Sequence, residues 1–549
     1  RTCGQHHVSA LFAFEKSEAE SEYLMGQRKT PYPFTTGQSN SATGTENTTF
    51  TRTESGTMSY IGRVNYAYAD KYLFEFLLRS DASTKFAPEN YWGTFPAVSA
   101  GWVVSEEKWF QKAAPWVDFL KLRASWGMTG RDNTAAWQWM QVYAQDANRG
   151  VIFGTTAGIP SGNRVTFNKN NSAVNPHVHW DKSYKTNVGL DFQVLNKRLA
   201  VSMEYYNEKN REMLLNIKQS VPTTVGTQSA AMNLGEMNSW GWELSVNWRD
   251  KIGKDFKYRI GLNTGYRDNE VLVMDWNVGD DLYKQITYGH RTDMGLWGMQ
   301  CLGMFRSFQD INEYFDMYMK KEDGTYGTYM GMTKDQVRPG MLIYKDVRGA
   351  KQTDGTYAGP DHNVDETLDQ VQLSNRTNPY GFTINAGAEW KGISLTAQFG
   401  ASWGGYTVVP SAALKPTGSL EYCNMPSFWN VDNMFVYQDI YDGSGNLIEK
   451  ANRDAKYPNL AYSSVNAVAS SFWRVSAARI ALNRLTLAYT IPSSLYKKYG
   501  INNIRVNVTG QNVLNFYNPY PENFMNPMAG TYGSYPNLRK WTVGVNLSF

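Results

Sequence analysis

The sequence has no long apolar run, although hydrophobic residues make up 42% of it. No stretch approaches the roughly 20 consecutive apolar residues that a membrane-spanning helix requires, and the mean hydropathy is −0.50. Charged residues are also scarce, at 19%, compared with about 25% in soluble domains. The composition therefore excludes spanning helices and argues against an ordinary soluble protein.

Cysteine is rare as well, since Cys3, Cys301 and Cys423 lie far apart and outside any C-x-x-C spacing. This pattern predicts neither a disulfide framework nor a zinc site. The 54 basic and 50 acidic residues are spread along the chain, so no basic stripe is available and we expect no nucleic-acid partner. The chain opens at Arg1 without a leader-like segment, and we expect the true N-terminus to lie elsewhere.

Aromatic residues are abundant, at 14%, and many lie in segments where apolar and polar side chains alternate. In residues 187–194, four apolar side chains share one face, and Asn, Gly, Asp and Gln share the other. Alternation over about 9 to 11 residues is typical of a strand that crosses a membrane in a β-barrel. Strands are also predicted near residues 5–16, 57–68, 72–82, 94–103, 118–127, 199–207, 242–249, 258–267, 382–390, 393–401, 473–490, 503–511 and 541–549. The apolar parity changes between Leu482 and Leu485, which predicts a β-bulge near Asn483.

The connections between these strands alternate in length. Short turns at 68–72, 195–198 and 390–393 contrast with predicted long loops at 17–56, 128–180, 404–472 and 513–538. Short periplasmic turns and long outer loops are characteristic of outer-membrane barrels. We therefore predict an all-β fold, a transmembrane antiparallel β-barrel with about sixteen strands of a larger, roughly 22-stranded plugged barrel. A soluble β-sandwich would also alternate, but polar faces rich in Gly, Asn, Ser and Thr favour a watery lumen.

Several stretches carry a resemblance to a known family. They are Ile61–Tyr66, Asp70–Leu73, Arg79–Ser83, Phe95–Trp102, Leu120–Gly127, Ser471–Arg474, Leu485–Pro492, Gly510–Leu514 and Tyr535–Pro536. In their order and spacing they resemble the barrel of the SusC/RagA family of TonB-dependent transporters, and together they cover most of the chain. The resemblance implies that residues 1–549 are the C-terminal part of the barrel, and that the plug and N-terminal domain precede this sequence.

The same resemblance implies a function in the bacterial outer membrane. It implies import of a bulky nutrient, an oligosaccharide or an oligopeptide, together with a SusD-like surface lipoprotein and a TonB complex that acts through the N-terminal part. The remaining strands and the plug of the same transporter, the outer-membrane lipid and a dimer of the complex are the other implied partners. A passive porin and a β-barrel enzyme are the alternatives. No H-E-x-x-H or phosphate-loop motif occurs in the sequence, and we expect no enzymatic activity.

Candidate binding residues lie in the predicted outer loops. Trp137, Trp139, Phe428 and Trp429 could stack on sugar rings or peptide side chains, although interface anchoring and loop packing explain them equally well. These four residues are the candidate substrate-binding residues.

Candidate metal ligands occur in one acidic loop. Asp361, Asn363 and Asp365 have the alternate spacing of a calcium loop. Glu366 stands where such a loop has its glycine, so a solvated acidic loop is the competing interpretation. His177 and His179 could share a metal on a strand, but no third ligand is evident. The cofactor hypothesis is thus limited to Ca²⁺ at the aspartate loop.

Overall fold

The structure is a computed structural model, and strands dominate it. It describes residues 2–29, 44, 46–134, 136, 139–140, 143–145, 152–153, 163–164, 167–169, 174–215, 217, 230–274, 290–354, 356–415, 425–527, 532–533, 535 and 537–549. The chain divides into unit 1, Arg1–Glu243 with Tyr266–Thr292, and unit 2, Leu244–Gly265 with Asp293–Phe549. No helix in the described part of the chain is long and apolar enough to span a membrane.

Unit 1 consists of antiparallel strands that mostly pair with their neighbours in sequence. They are β1 (Thr2–Cys3), β2 (His6–Arg28), β3 (Glu46–Tyr68), β4 (Tyr72–Ser83), β5 (Trp92–Val103), β6 (Val117–Arg131), β7 (Tyr143–Gln145), β8 (Ile152–Phe153), β9 (Asn163–Arg164), β10 (Phe167–Lys169), β11 (Asp181–Val194) and β12 (Leu199–Leu215). Strands β13 (Met232–Ile252) and β14 (Phe256–Val273) contribute residues to both units. The main sheet has the order β1 to β6, then β11 to β14, while β7 pairs with β10 and β8 with β9. The connections hold helix α1 (Lys108–Ala113) and 3₁₀ turns at Pro88–Asn90 and Val104–Glu106.

Unit 2 combines long strands with well-packed loop segments. Its further strands are β15 (Leu296–Met299), β16 (Cys301–Met304), β17 (Leu342–Tyr344), β18 (Gln370–Ser374), β19 (Tyr380–Trp390), β20 (Ile393–Trp403), β21 (Tyr406–Val408), β22 (Ile440–Tyr441), β23 (Leu447–Glu449), β24 (Arg474–Ser476), β25 (Arg479–Thr490), β26 (Asn503–Tyr517) and β27 (Lys540–Ser548). The long strands follow the order β13, β14, β19, β20, β25, β26, β27, and the short ones form pairs. Helix α2 (Phe308–Tyr314) continues into a π-helical turn (Phe315–Met319), and α3 covers Ser463–Asn466. 3₁₀ turns lie at Lys334–Gln336, Ser411–Ala413, Leu460–Tyr462, Ser493–Leu495, Lys497–Tyr499 and Pro521–Asn523.

The main sheet of unit 1 has one apolar and one polar face. Directly paired residues share a face in an antiparallel sheet, and the apolar face includes Tyr72, which pairs with Trp102, which in turn pairs with Leu122. Phe74 and Phe76 lie on the same face and are exposed to the surroundings. Large exposed apolar side chains in regular rows are what lipid contact requires. We call this surface the apolar face and the opposite one the polar face.

The structure confirms the alternating strands and the bulge. Gln398 pairs with Arg484 and Phe399 with Leu482, so Asn483 is the extra residue, and the register shifts there on the β26 side as well. The extra residue lets the apolar side chains before and after it lie on one face, because it reverses the alternation once. The antiparallel series contains 15 strands, close to the predicted number.

Two boundary predictions were wrong. The predicted loop 17–56 includes strand at both ends, because β2 continues to Arg28 and β3 begins at Glu46. These extensions are mostly polar, with Tyr23, Leu24 and Phe50 as exposed exceptions, and therefore show no regular alternation. Exposed ion pairs such as Arg52 with Glu20 join them. The predicted strand 473–490 is two strands, β24 and β25, separated at residues 477–478.

Candidate functional site

The polar face of unit 1 surrounds an open cavity of about 550 Å³. Glu75, Ser99, Ser125 and Asn187 form one row across β4, β5, β6 and β11. Small side chains in this row leave space, and their polar atoms can solvate a passing molecule. A second open cavity of about 440 Å³ is lined by His7, Asn65, Glu75, Lys121 and Arg123, among others. The alternation of the sequence produces this wall directly, because every second residue of each strand points to it.

A charge network crosses the polar face. The Arg123 guanidinium donates from Nη1 to Glu204 Oε2 at 2.7 Å and from Nε to Asp191 Oδ2 at 3.3 Å. Ser202 Oγ donates to the other Asp191 oxygen at 2.7 Å. Gly189 lies between these strands, and a Cβ there would come within 2.5 Å of Arg123 Cζ. Glycine at this position therefore gives the guanidinium room to reach across the sheet.

A second charged cluster lies nearer the long-loop end. Arg79 Nε donates to Asp81 Oδ1 at 2.7 Å, and Arg79 Nη2 donates to Ser59 Oγ at 3.2 Å. Ser83 Oγ and Lys85 Nζ both contact Asp132 Oδ2, at 2.9 Å and 3.4 Å. Both charge signs are therefore present and paired along this wall. Because the charges are paired, such a surface can form hydrogen bonds with a polar solute and does not bind ions of one sign strongly.

A small apolar core closes the long-loop end of this wall. Phe86, Phe95, Val178 and Trp180 are buried together, and the Phe95 and Trp180 rings lie 5.4 Å apart, edge to face. Trp180 Nε1 donates to the Tyr91 carbonyl at 3.0 Å, which fixes the indole. Both Phe95 and Trp180 also line the larger cavity. Phe95 begins a stretch that carries the family resemblance, whereas no pattern in the sequence marks Trp180.

The predicted aromatic candidates have different positions. Phe428 is 0% exposed and belongs to an apolar core of unit 2 with Tyr457 and Trp473. Trp429 is partly buried, and its Nε1 donates to the Ala413 carbonyl at 2.8 Å. Phe428 is thus a core residue in this structure. Its ring can reach a ligand only if that core opens.

The remaining aromatic candidates lie in unit 1. Trp139 is partly buried there. Trp137 lies outside the described residues, as Cys423 does. Their contact with a substrate stays a prediction.

The aspartate loop is held by its own backbone. Asp361 Oδ1 accepts the Asn363 N–H at 2.9 Å, Asn363 Oδ1 accepts the Thr328 N–H at 3.0 Å, and Asp365 Oδ1 accepts the Thr367 N–H at 2.7 Å. Within the described ranges, no group of three or more His, Cys, Asp or Glu side chains is arranged to hold a metal ion. The bonds at Asp361 and Asp365 are those of Asx-type turns, which the same spacing also predicts, and the bond to Thr328 joins the loop to a distant segment. The structure therefore gives the calcium hypothesis no support.

Two aspartates that do not fit the calcium spacing are more deeply buried in this loop than Asp361 and Asp365. Asp346 Oδ2 accepts the His362 N–H at 2.7 Å, and Asp369 Oδ1 accepts the Val347 N–H at 2.7 Å. Burial, with the Asp369 carboxylate nearby, raises the pKa of Asp346 to about 6. Burial also raises the pKa of Asp369. Their signal in the sequence is faint, because they lie 23 positions apart and outside the calcium spacing.

The histidine pair does not form a shared site. His179 Nε2 lies 2.8 Å from Glu212 Oε2, and its Nδ1 lies 2.8 Å from the His177 carbonyl oxygen. Both ring nitrogens of His179 are therefore engaged by oxygen atoms of unit 1. Lys182 Nζ contacts the same Glu212 carboxylate at 2.8 Å.

Comparisons with known proteins are consistent with a sheet that has one apolar and one polar face. Residues 11–293 match the family model described as TonB dependent receptor-like, beta-barrel. TonB-dependent receptor P3 of Formosa agariphila is 25% identical over 518 residues, which is 90% of this chain and 46% of that protein. TonB-dependent receptor SusC of Bacteroides thetaiotaomicron is 32% identical over 227 residues, 41% of this chain and 22% of that protein.

Solved structures show the same fold. The RagAB peptide importer in its open-open state has a TM-score of 0.70 at 20% identity, covering 100% of this chain and 53% of that chain. Its closed-closed state gives a TM-score of 0.69 at 19% identity, with 54% of that chain covered. The chain spans about half the length of the curated relatives that it matches along most of its own length.

Proposed function

The chain belongs to the TonB-dependent receptor-like β-barrel family, and on that premise we propose that it is the C-terminal barrel portion of an importer of bulky nutrients. Members of this family are outer-membrane β-barrels and transporters rather than enzymes. The cargo that we propose is an oligosaccharide or an oligopeptide. The RagAB peptide importer supports the peptide class by its name and by the shared fold. The oligosaccharide class follows from the resemblance to the SusC/RagA family, to which the similarity with SusC adds support.

The observation that carries the proposal is the contrast between the two faces of unit 1. The apolar face exposes rows such as Tyr72, Phe74 and Phe76, which suit lipid. The polar face carries the paired charges around Arg123 and the row that begins at Glu75. A protein with this division can remain in the membrane while it offers a hydrated wall to a polar solute.

We further propose two partners. A SusD-like surface lipoprotein would deliver the cargo from outside, and a TonB complex would supply energy through a plug-bearing N-terminal part. The packed cores of the unit 2 loops support the first partner, because a folded loop domain offers a more defined docking surface than loose loops. A dimer of this complex is also proposed from the family.

The experiment that tests the proposal measures energy-dependent uptake. Cells that express the complete transporter and its lipoprotein are given fluorescent oligosaccharides and oligopeptides, with and without a protonophore. An importer should accumulate one class only while the membrane is energised, and loss of TonB should have the same effect as the protonophore. Uptake that continues unchanged without energy would refute import by TonB and favour the passive porin.

A further inference from the structure

The connection between β5 and β6 is longer than the other turns at the same end of the unit 1 sheet. The neighbouring turns at 69–71 and 195–198 are tight, whereas residues 104–116 form a 3₁₀ turn and helix α1. All three lie at one end of the sheet, because Tyr72 pairs with Trp102 and Val194 pairs with Val117. Short turns mark the periplasmic end of an outer-membrane barrel. The longer segment therefore lies at the periplasmic membrane surface if the proposed membrane placement holds.

Glu107 fixes this segment to the sheet. Its carboxylate accepts hydrogen bonds from Tyr72 Oη at 2.6 Å and from Trp102 Nε1 at 3.3 Å. Lys71 Nζ lies 3.6 Å from its second oxygen. Glu107 is also the N-cap residue of α1, so the start of the helix is tied to the ends of β4 and β5.

Two tryptophans extend the apolar face beyond the strand ends. The Trp109 ring lies 6.4 Å from Trp102, and the Trp116 ring lies 6.3 Å from Phe192. Trp102 and Phe192 belong to the apolar face, yet Trp109 and Trp116 are 56% and 65% exposed. Tryptophan favours the boundary between acyl chains and headgroups, where its apolar ring and its N–H are both accommodated.

Two lysines accompany these rings. Lys108 and Lys112 are exposed and lie four positions apart on α1, so they share a helix face. Neither forms a salt bridge in the described part of the chain. Glu106 precedes the helix, and Glu107 is already occupied by Tyr72 and Lys71. The two ammonium groups are therefore available to an anion outside the protein.

Unit 2 contains an independent segment of the same kind. Residues 491–502 connect β25 to β26 beside the short turn at 391–392, because the Thr490 N–H donates to the Gly392 carbonyl at 2.8 Å. Leu495 and Tyr499 are 65% and 69% exposed in this connection. Lys497 and Lys498 are exposed between them, and Lys498 Nζ lies 4.9 Å from the centre of the Tyr499 ring. Each unit thus has a lysine pair beside exposed apolar side chains in a connection that neighbours a short turn.

We propose that residues 104–116 and 491–502 are interfacial anchors that bind the phosphate headgroups of anionic phospholipids in the periplasmic leaflet. The aromatic and leucine side chains enter the headgroup boundary, and each lysine pair contacts phosphate. The inference rests on the proposed membrane placement, and it adds a lipid class that transport does not require.

The test counts lipids bound to the complete transporter. The protein is reconstituted in nanodiscs with phosphatidylglycerol or phosphatidylcholine, released, and examined by native mass spectrometry. Each basic residue near an anionic surface contributes about a fivefold gain in binding, so the Lys108→Ser/Lys112→Ser variant should bind phosphatidylglycerol about thirtyfold more weakly at residues 104–116, while residues 491–502 keep their share of the count. The matching variant of 497 and 498 should show the same loss. Phosphatidylcholine binding should not change.

A matched control removes two exposed lysines from loops at the other end of the strands. The Lys320→Ser/Lys450→Ser variant should retain the lipid count of the parent. Heat-modifiable gel mobility verifies that every variant is folded. An unchanged phosphatidylglycerol count in the anchor variants would overturn the proposal and favour a periplasmic protein as the occupant. The uptake assay is separate, so failure of lipid binding is distinguishable from failure of the importer function.

Discussion

Asn466 is the buried residue whose replacement gives the sharpest prediction for the loop domain of unit 2. It is 2% exposed. Its Oδ1 accepts the Leu342 N–H at 2.8 Å, and its Nδ2 donates to the carbonyls of Gly340 at 2.9 Å and Asn459 at 2.8 Å. Asn466→Leu keeps the branching at Cγ, adds some volume and removes all three hydrogen bonds. At about 1 kcal/mol each, the loss is about 3 kcal/mol of local stability.

This loss converts directly into a rate of hydrogen exchange. Each 1.4 kcal/mol is a factor of ten, so the Leu342 amide should exchange about a hundredfold faster through local opening. Hydrogen–deuterium exchange of the detergent-solubilised protein measures this rate. Asn446→Leu is the control, because Asn446 is an exposed loop residue whose side chain bonds only Asp442 among the contacts seen. Exchange at Leu342 within about threefold of the parent would refute the reasoning.

Three further predictions test other parts of the account. The pKa of Asp346, raised to about 6, exceeds the unfolded value of about 3.9, so folding takes up a proton and loop stability should fall as the pH rises from about 4 to 6. Calorimetry should show this slope and a smaller one in Asp346→Asn, where only the raised pKa of Asp369 remains, and an undiminished slope in the variant would contradict the assignment. In Gly327→Ala, the new Cβ would lie 1.6 Å from the His362 carbonyl oxygen, so proteolysis between 320 and 365 should accelerate. Gly359→Ala, with nothing within 4 Å, should behave as the parent, and equal cleavage of both variants would count against the packing. Deleting Asn483 should leave heat-modifiable mobility intact, because Leu482 and Leu485 then lie two positions apart as in a regular strand. A deletion variant that has lost this mobility would contradict the assigned register.

The strands could be predicted because each long strand separates two different surroundings. Val188 and Asp191 lie on opposite faces, and the sequence alternates accordingly. The bulge at Asn483 was also predictable, since the change of parity is visible in the sequence alone. The extensions of β2 and β3 were not, because their side chains do not alternate regularly and the pairing of the two strands defines them.

The sequence leaves the role of the loop aromatics open. Phe428 was a candidate for ligand contact with loop packing as an equal alternative, and it packs on Trp473, 45 positions away. Burial that depends on contacts between distant loop segments leaves no local pattern. The network of Arg123, Asp191 and Glu204 could not be predicted either. Alternation places each residue on the polar face but does not show which side chains contact one another.

The most direct test of the central claim is intact-mass analysis, with identification of every co-purifying polypeptide, of the complex extracted from native membranes. We expect this sequence to be recovered together with a plug-bearing part of the same transporter and a SusD-like lipoprotein. Recovery of this chain alone, as a complete protein without plug or lipoprotein, would contradict the importer and its coupling to TonB.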